Sequence, residues 1–188
     1  MRFKRAYSAF SGRPALGSAT GRWLLALVVL IGALAVTAVQ RWSADSQSPI
    51  AGRAFVIDGD TLTIEGTRIR LVDVDAPELD QHCTDGDHKS WPCGRAAANE
   101  LQALIRNQLL TCRRRGIDQY HRVLAVCRLP DNTDVNGWLV QNGWALLYGS
   151  NGNYRREQDE AKANRHGIWS GTFISPRQWR DQHPRSDG

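Results

Sequence analysis

An unbroken run of eighteen uncharged residues, WLLALVVLIGALAVTAVQ from Trp23 to Gln40, divides the chain before any other feature does. As a helix rising 1.5 Å per residue it would be roughly 27 Å long, close to the hydrocarbon thickness of a bilayer. Trp23 and Trp42 mark its edges, where an indole ring prefers the headgroup zone. The 22 residues up to Arg22 carry five basic side chains (Arg2, Lys4, Arg5, Arg13 and Arg22) and no acid. The positive-inside rule keeps such a tail, residues 1–22, in the cytoplasm and exports the chain beyond the run. We read residues 23–40 as an uncleaved transmembrane signal-anchor. The alternative is a signal peptide cut after Ala35 or Ala38. The first reading gives a domain anchored at the inner membrane and facing the periplasm or extracellular space; the second gives a secreted one.

The rest of the chain is long enough for one ordinary domain and too short for two full cores. Seven Trp and an apolar content of 41% exclude disorder throughout. The net charge of +5 suggests a polyanionic partner, but from Arg41 onward 19 basic residues face 19 acidic ones. Basicity therefore belongs to the tail and does not argue for nucleic acid. Residues 41–50 (RWSADSQSPI) form a polar linker, and residues 181–188 a polar tail.

Within residues 51–180 the apolar pattern changes period several times. In AFVIDGDTLTIEGTRIRLVDVDAPE, Phe55 to Ile57 lead into an Asp58-Gly59-Asp60 turn, and Leu62 and Ile64 alternate with polar residues. Gly66 turns the chain, and Ile69, Leu71 and Val72 continue it until Pro77. This predicts three short strands, two of them a hairpin. Gly94 opens a helix with Ala97, Leu101, Leu104 and Ile105 on one face. Two strands come next, at about 109–115 and 121–129. Asp134 caps a short helix that Gly143 stops, and a last helix near 155–166 ends before Gly167. Five short strands with inserted helices predict a mainly β fold, a small closed barrel such as the five-stranded OB-fold.

Four cysteines suit an oxidising compartment. Cys83 and Cys93 bracket a polar loop, and Cys112 and Cys127 fall in two neighbouring strands whose facing side chains can bridge. These pairings are expected. His82 and His88 beside the first pair raise a zinc alternative, but the spacing matches no common finger.

Asp58, Asp60, Asp73, Asp75 and Glu78 lie within 21 residues, on segments that the hairpin can bring together. Carboxylates sharing a pocket repel unless their pKa values rise or a cation neutralises them. An all-oxygen set favours a hard ion such as Ca²⁺ or Mg²⁺, although a DGD run is also an ordinary turn. If the third strand runs unbroken to Pro77, Arg70, Val72 and Val74 share one face and Asp73 and Asp75 the other. A guanidinium beside such carboxylates suits a phosphodiester, and Arg122 is a second candidate; taken singly, each arginine reads first as a surface ion-pair partner.

Three segments, DGDT (Asp58 to Thr61), RLVDVDAPE (Arg70 to Glu78) and DQYHRVLAV (Asp118 to Val126), resemble in order the motifs of the staphylococcal nuclease family. Asn136, LVQNGWA (Leu139 to Ala145), HGIW (His166 to Trp169) and the Phe173-to-Arg180 ending are similar to exported bacterial members. The resemblance implies an OB-fold that hydrolyses phosphodiesters of DNA and RNA, preferably single-stranded, with one Ca²⁺. It implies Asp60, Asp75 and the backbone carbonyl of Ala76 as metal ligands, with Asp58 acting through water. Glu78 would activate the attacking water, the 5′-oxygen would leave, and Arg70 and Arg122 would stabilise the transition state. Tyr120 and Tyr148 would lie beside the nucleotide. His121 departs from the family in replacing a small residue before the second arginine. Asp73 and the long 79–93 loop are further additions. A different class of reading is a non-catalytic OB module that holds single strands or a protein at the membrane.

Overall fold

The computed structural model describes residues 23, 26–38 and 48–184, and the chain divides between Ser46 and Gln47 into two units. In the first unit residues 26–38 are helical (α1) with exposed side chains. Most of the expected anchor, residues 23–40, is thus described, whereas the expected basic tail at 1–22 and most of the 41–50 linker lie outside the described residues. Among the described residues no helix is long and apolar enough to cross a membrane.

The second unit is built on a closed barrel. Its strands are β1 (Ile50–Val56), β2 (Thr61–Ile64), β3 (Thr67–Leu71), β7 (Leu109–Ile117) and β8 (Val123–Arg128), closing in the order β1-β2-β3-β8-β7. All neighbours are antiparallel except β3 and β8. This is the expected five-stranded mainly β barrel. Leu62, Ile64, Ile69, Leu71, Leu110, Val123 and Ala125 fill its interior at alternate positions, as a period of two dictates. A register shift between Arg114 and Gly116 lets β7 run on to Ile117, past the expected end.

The helix α2 (Cys93–Ile105) buries Ala97, Leu101 and Ile105 as its spacing predicts. In α3 (Val135–Gln141), Asp134 is the N-cap and accepts from the Gly137 N–H at 3.1 Å. The next helix, α4 (Arg155–Ala163), stops short of residue 166 because Arg165 takes a left-handed backbone, φ 54°. A one-turn 3₁₀ helix (Gly167–Ser170) and α5 (Pro176–Gln182) complete the domain.

Two expectations fail between residues 71 and 93. The third strand does not reach Pro77. It ends at Leu71, Asp73 turns the chain at φ 63°, and Val74–Asp75 (β4) pairs instead with β9 (Leu146–Leu147). Face alternation holds only while a chain stays extended, so the assignment of Arg70 and Asp75 to opposite faces lapses at that turn. The 79–93 segment is also not plain loop. Cys83–Thr84 (β5) and Ser90–Trp91 (β6) pair within it.

Both disulfides form as expected. Cys83–Cys93 ties β5 to the start of α2, and Cys112–Cys127 joins residues directly opposite on β7 and β8. All four sulfurs are engaged, which overturns the zinc alternative.

Close packing at Gly94 positions the segment that carries Glu78. A Cβ there would lie 1.6 Å from the Glu78 carbonyl oxygen, so only glycine lets α2 approach this closely. The variant Gly94→Ala should lose about 3 kcal/mol in urea unfolding, because backbone must shift to admit the methyl group. Each double cysteine-to-alanine variant should lose about 3 kcal/mol in the same measurement, by restoring loop entropy to the unfolded chain.

Candidate active site

The turn before β2 is closed by its own backbone and acids. The N–H groups of Ile57 and Asp58 donate to the Thr61 carbonyl at 2.9 and 3.2 Å, and the Asp60 N–H donates to Asp58 Oδ1 at 3.1 Å. Asp58 is thereby committed to shaping the turn. The β2–β3 register sets Thr61 opposite Arg70, which brings the preceding Asp60 within reach of the Arg70 guanidinium.

Asp60 is 1% exposed and Asp75 4% exposed. Arg70 bridges them: Nη1 donates to Asp60 Oδ1, and Nη2 donates to Asp75 Oδ1 at 2.9 Å. The Ala76 N–H donates to Asp60 Oδ2 at 2.8 Å and the Thr61 hydroxyl to Asp60 Oδ1 at 3.3 Å. The turn at Asp73 is what makes this convergence possible. Burial pushes the Asp60 carboxyl well above the ordinary carboxylate range; Arg70 and the Ala76 N–H pull it down, while Asp58 and Asp75 push it further up. Keeping Asp60 ionised in this pocket is therefore costly, and positive charge brought near it lowers that cost.

Glu78 lies further along the same segment. Its N–H donates to the buried Gln81 Oε1 at 3.2 Å, and its Oε1 accepts from Arg180 Nη1 at 2.9 Å. Arg180 also grips Asp75 with both terminal nitrogens, Nη1 to Oδ1 at 3.0 Å and Nη2 to Oδ2 at 3.1 Å. Partial burial opposes the charge on Arg180, but the bonds to Asp75 and Glu78 outweigh it and hold the guanidinium more firmly protonated than usual. Sequence reasoning missed this residue. The Phe173-to-Arg180 ending stood out, yet no spacing rule connects position 180 to position 75.

Arg122 stands just before Val123, which pairs in parallel with Ile69 on the neighbouring β3, so its backbone lies two positions short of the level of Arg70, which pairs with Leu124. Its Nε donates to Asp118 Oδ2 at 2.7 Å and its N–H to Asp118 Oδ1 at 2.9 Å, and its guanidinium lies 5.4 Å from the Tyr120 ring centroid. Partial burial raises the Asp118 carboxyl, but hydrogen bonds from Arg122 and Tyr120 outweigh this and leave it below the usual range. His121 has φ 59°, the left-handed backbone that favours glycine, so its side chain is accommodated in the turn at a conformational cost.

Tyr120 and Tyr148 are exposed. Asp73 is occupied by the loop that carries Tyr148: its carbonyl accepts from the Tyr148 N–H at 2.9 Å, and its carboxylate from Asn151 at 3.4 Å and Asn153 at 2.6 Å. It thus serves that loop, where Asp60 and Asp75 serve the pocket. Asn136, fully buried, accepts from the Cys127 N–H at 3.1 Å and donates to the Val72 carbonyl at 2.9 Å, which pins the chain just before its turn.

Among the described residues no three His, Cys, Asp or Glu side chains converge as a metal-holding group. Two carboxylates do converge, joined by Arg70. Their donors are all oxygen and their burial calls for positive charge, which fits a hard divalent cation.

Residues 68–171 match the family described as Staphylococcal nuclease homologue. The chain is 38% identical over 157 residues to the Succinoglycan biosynthesis protein ExoI of Rhizobium meliloti (strain 1021), covering 82% of this chain and 78% of that protein. It is 31% identical over 143 residues to an Escherichia coli protein named Uncharacterized endonuclease, covering 70% and 85%. It is 30% identical over 144 residues to the Micrococcal nuclease of Shigella flexneri, covering 66% and 76%. The matched residues contain Arg70, Asp75, Glu78 and Arg122 on the barrel just described, and the chain belongs to the staphylococcal nuclease family.

Proposed function

We propose that this nuclease is exported and hydrolyses phosphodiester bonds of DNA and RNA, preferably single-stranded, with Ca²⁺ as its cofactor. The observation that carries the reading is the convergence of two buried carboxylates on Arg70, with Glu78 three residues beyond Asp75. Asp60, Asp75 and the backbone carbonyl of Ala76 would hold the cation, with Asp58 in its outer shell. When bound, Ca²⁺ polarises a phosphoryl oxygen and offsets the charge developing there. Glu78 accepts a proton from the attacking water. Arg70 and Arg122, each with a guanidinium preoriented by carboxylates, donate to the equatorial phosphoryl oxygens as negative charge builds on them. Tyr120 and Tyr148 offer exposed rings on which unpaired bases can stack, which favours single strands.

Export is supported by the uncharged run behind a basic tail and by the two disulfides, bonds that persist in oxidising compartments. Retention of the run would anchor the domain at the inner membrane.

Digestion of denatured DNA by the full chain should require Ca²⁺ and stop with chelator. Glu78→Gln and Arg122→Ala should each lower kcat by about 10²–10³-fold; a variant as fast as wild type would remove that residue from the mechanism.

Asp118→Asn tests how Arg122 is held. Because the Asp118 carboxyl lies below its ordinary range, its stabilisation is full above the unfolded value of about 3.9 and is lost as pH falls through the folded value. In urea unfolding the wild type should exceed the variant at pH 7, and the gap should close below about pH 4.

A further inference from the structure

Arg180 lies beyond residue 171, where the family match ends, yet it reaches the centre of the site. Its placement is built into the fold. The Ser175 hydroxyl caps α5 by accepting from the Gln178 N–H at 3.2 Å, and Gln178 Oε1 accepts in return from the Ser175 N–H at 3.1 Å. The fully buried Gln81 donates to the Ile174 carbonyl at 2.9 Å while its Oε1 accepts from the Glu78 N–H. Thr84 and Thr172 exchange backbone hydrogen bonds at 2.9 and 2.8 Å, so the approach to α5 is clasped to the disulfide-closed 83–93 segment. One buried glutamine thus links the backbone that carries Glu78 to the arm that delivers Arg180.

We propose that Arg180 is an internal counter-cation, a positioning residue that competes with the divalent ion for Asp75 and Glu78 and so sets the concentration of ion at which the site fills. The proposal rests on the reading of Asp60 and Asp75 as cation ligands. A carboxylate offers about four lone-pair directions. Three of those on Asp75 are taken, one by Arg70 and two by Arg180. An ion that coordinates Asp75 meets a guanidinium on both oxygens, and the same group holds Glu78 Oε1. The side chain of Arg180 is 37% exposed, against 18% for Arg70, so it can withdraw toward water while α5 stays clasped. Arg70, enclosed between the two aspartates, remains.

The test is calorimetric titration of the full chain with Ca²⁺ alone, without nucleic acid, for wild type, Arg180→Gln and Arg180→Lys. Arg180→Gln should bind Ca²⁺ roughly 10–100-fold more tightly, the range that loss of a charge-assisted competitor implies. Its thermal midpoint should be lower than wild type in chelator and should rise more on adding Ca²⁺. Arg180→Lys keeps the charge but cannot hold both Asp75 oxygens and Glu78 together, so its affinity should fall between the two. It carries the test if the glutamine variant does not fold. Equal or weaker Ca²⁺ binding by the variants, with wild type still binding, would overturn the competition and leave the Ca²⁺ reading standing. If none of the three proteins bound Ca²⁺ at millimolar concentration, both would fall.

Discussion

A carboxylate buried at the end of a barrel has to be met by positive charge, and the arrangement around Asp60 is organised by that demand. Arg70 meets it from the paired strand, the Ala76 N–H from the segment beyond the turn, and Thr61 from the next position along the chain. An ion pair this well enclosed is costly to desolvate and costlier still to break, so its partners hold one another in place. The Asp73 turn, the β4–β9 pairing and the Asn136 bonds all keep Asp75 and Ala76 where Arg70 and Asp60 need them. Stability and chemistry share the same atoms here. The groups that satisfy the buried acids are the groups that the proposed mechanism turns toward a phosphate.

The architecture separates rigid from adjustable parts. Barrel strands and the Cys112–Cys127 bridge hold the Asp60–Arg70 pair, while the 79–93 segment is secured by the Cys83–Cys93 bridge and by the fit of Gly94 against Glu78. Arg122 sits in a turn whose Asp118 carboxylate accepts from its backbone and its guanidinium together, so its orientation is set before any substrate arrives. Against this frame Arg180 stands apart. It comes from the last helix, remains partly in water, and makes its bonds to Asp75 and Glu78.

Much of this was readable from the chain alone because it is local. Strand alternation through Leu62, Ile64 and Ile69, the helical spacing of Ala97, Leu101 and Ile105, the Asp134 cap and the pairing of cysteines on adjacent strands arise from periods and short-range bonds. Motif order likewise singled out Asp60, Arg70, Asp75, Glu78 and Arg122. Two elements end early at residues with a left-handed backbone, Asp73 and Arg165. The β5–β6 pairing inside the 79–93 segment and the reach of Arg180 to Asp75 are contacts that no local period announces.

Sequence by itself determined the barrel and its bridges, which depend on periodicity and neighbouring strands, and its motifs named Asp60, Arg70, Asp75, Glu78 and Arg122 as candidates without naming Arg180. Tertiary structure alone decided how they combine. It set Arg70 between Asp60 and Asp75, turned Asp73 away to serve the Tyr148 loop, and brought Arg180 across 105 positions to Asp75. The physical reason is that charge pairing inside a fold is governed by distance and burial, and neither scales with separation along the chain.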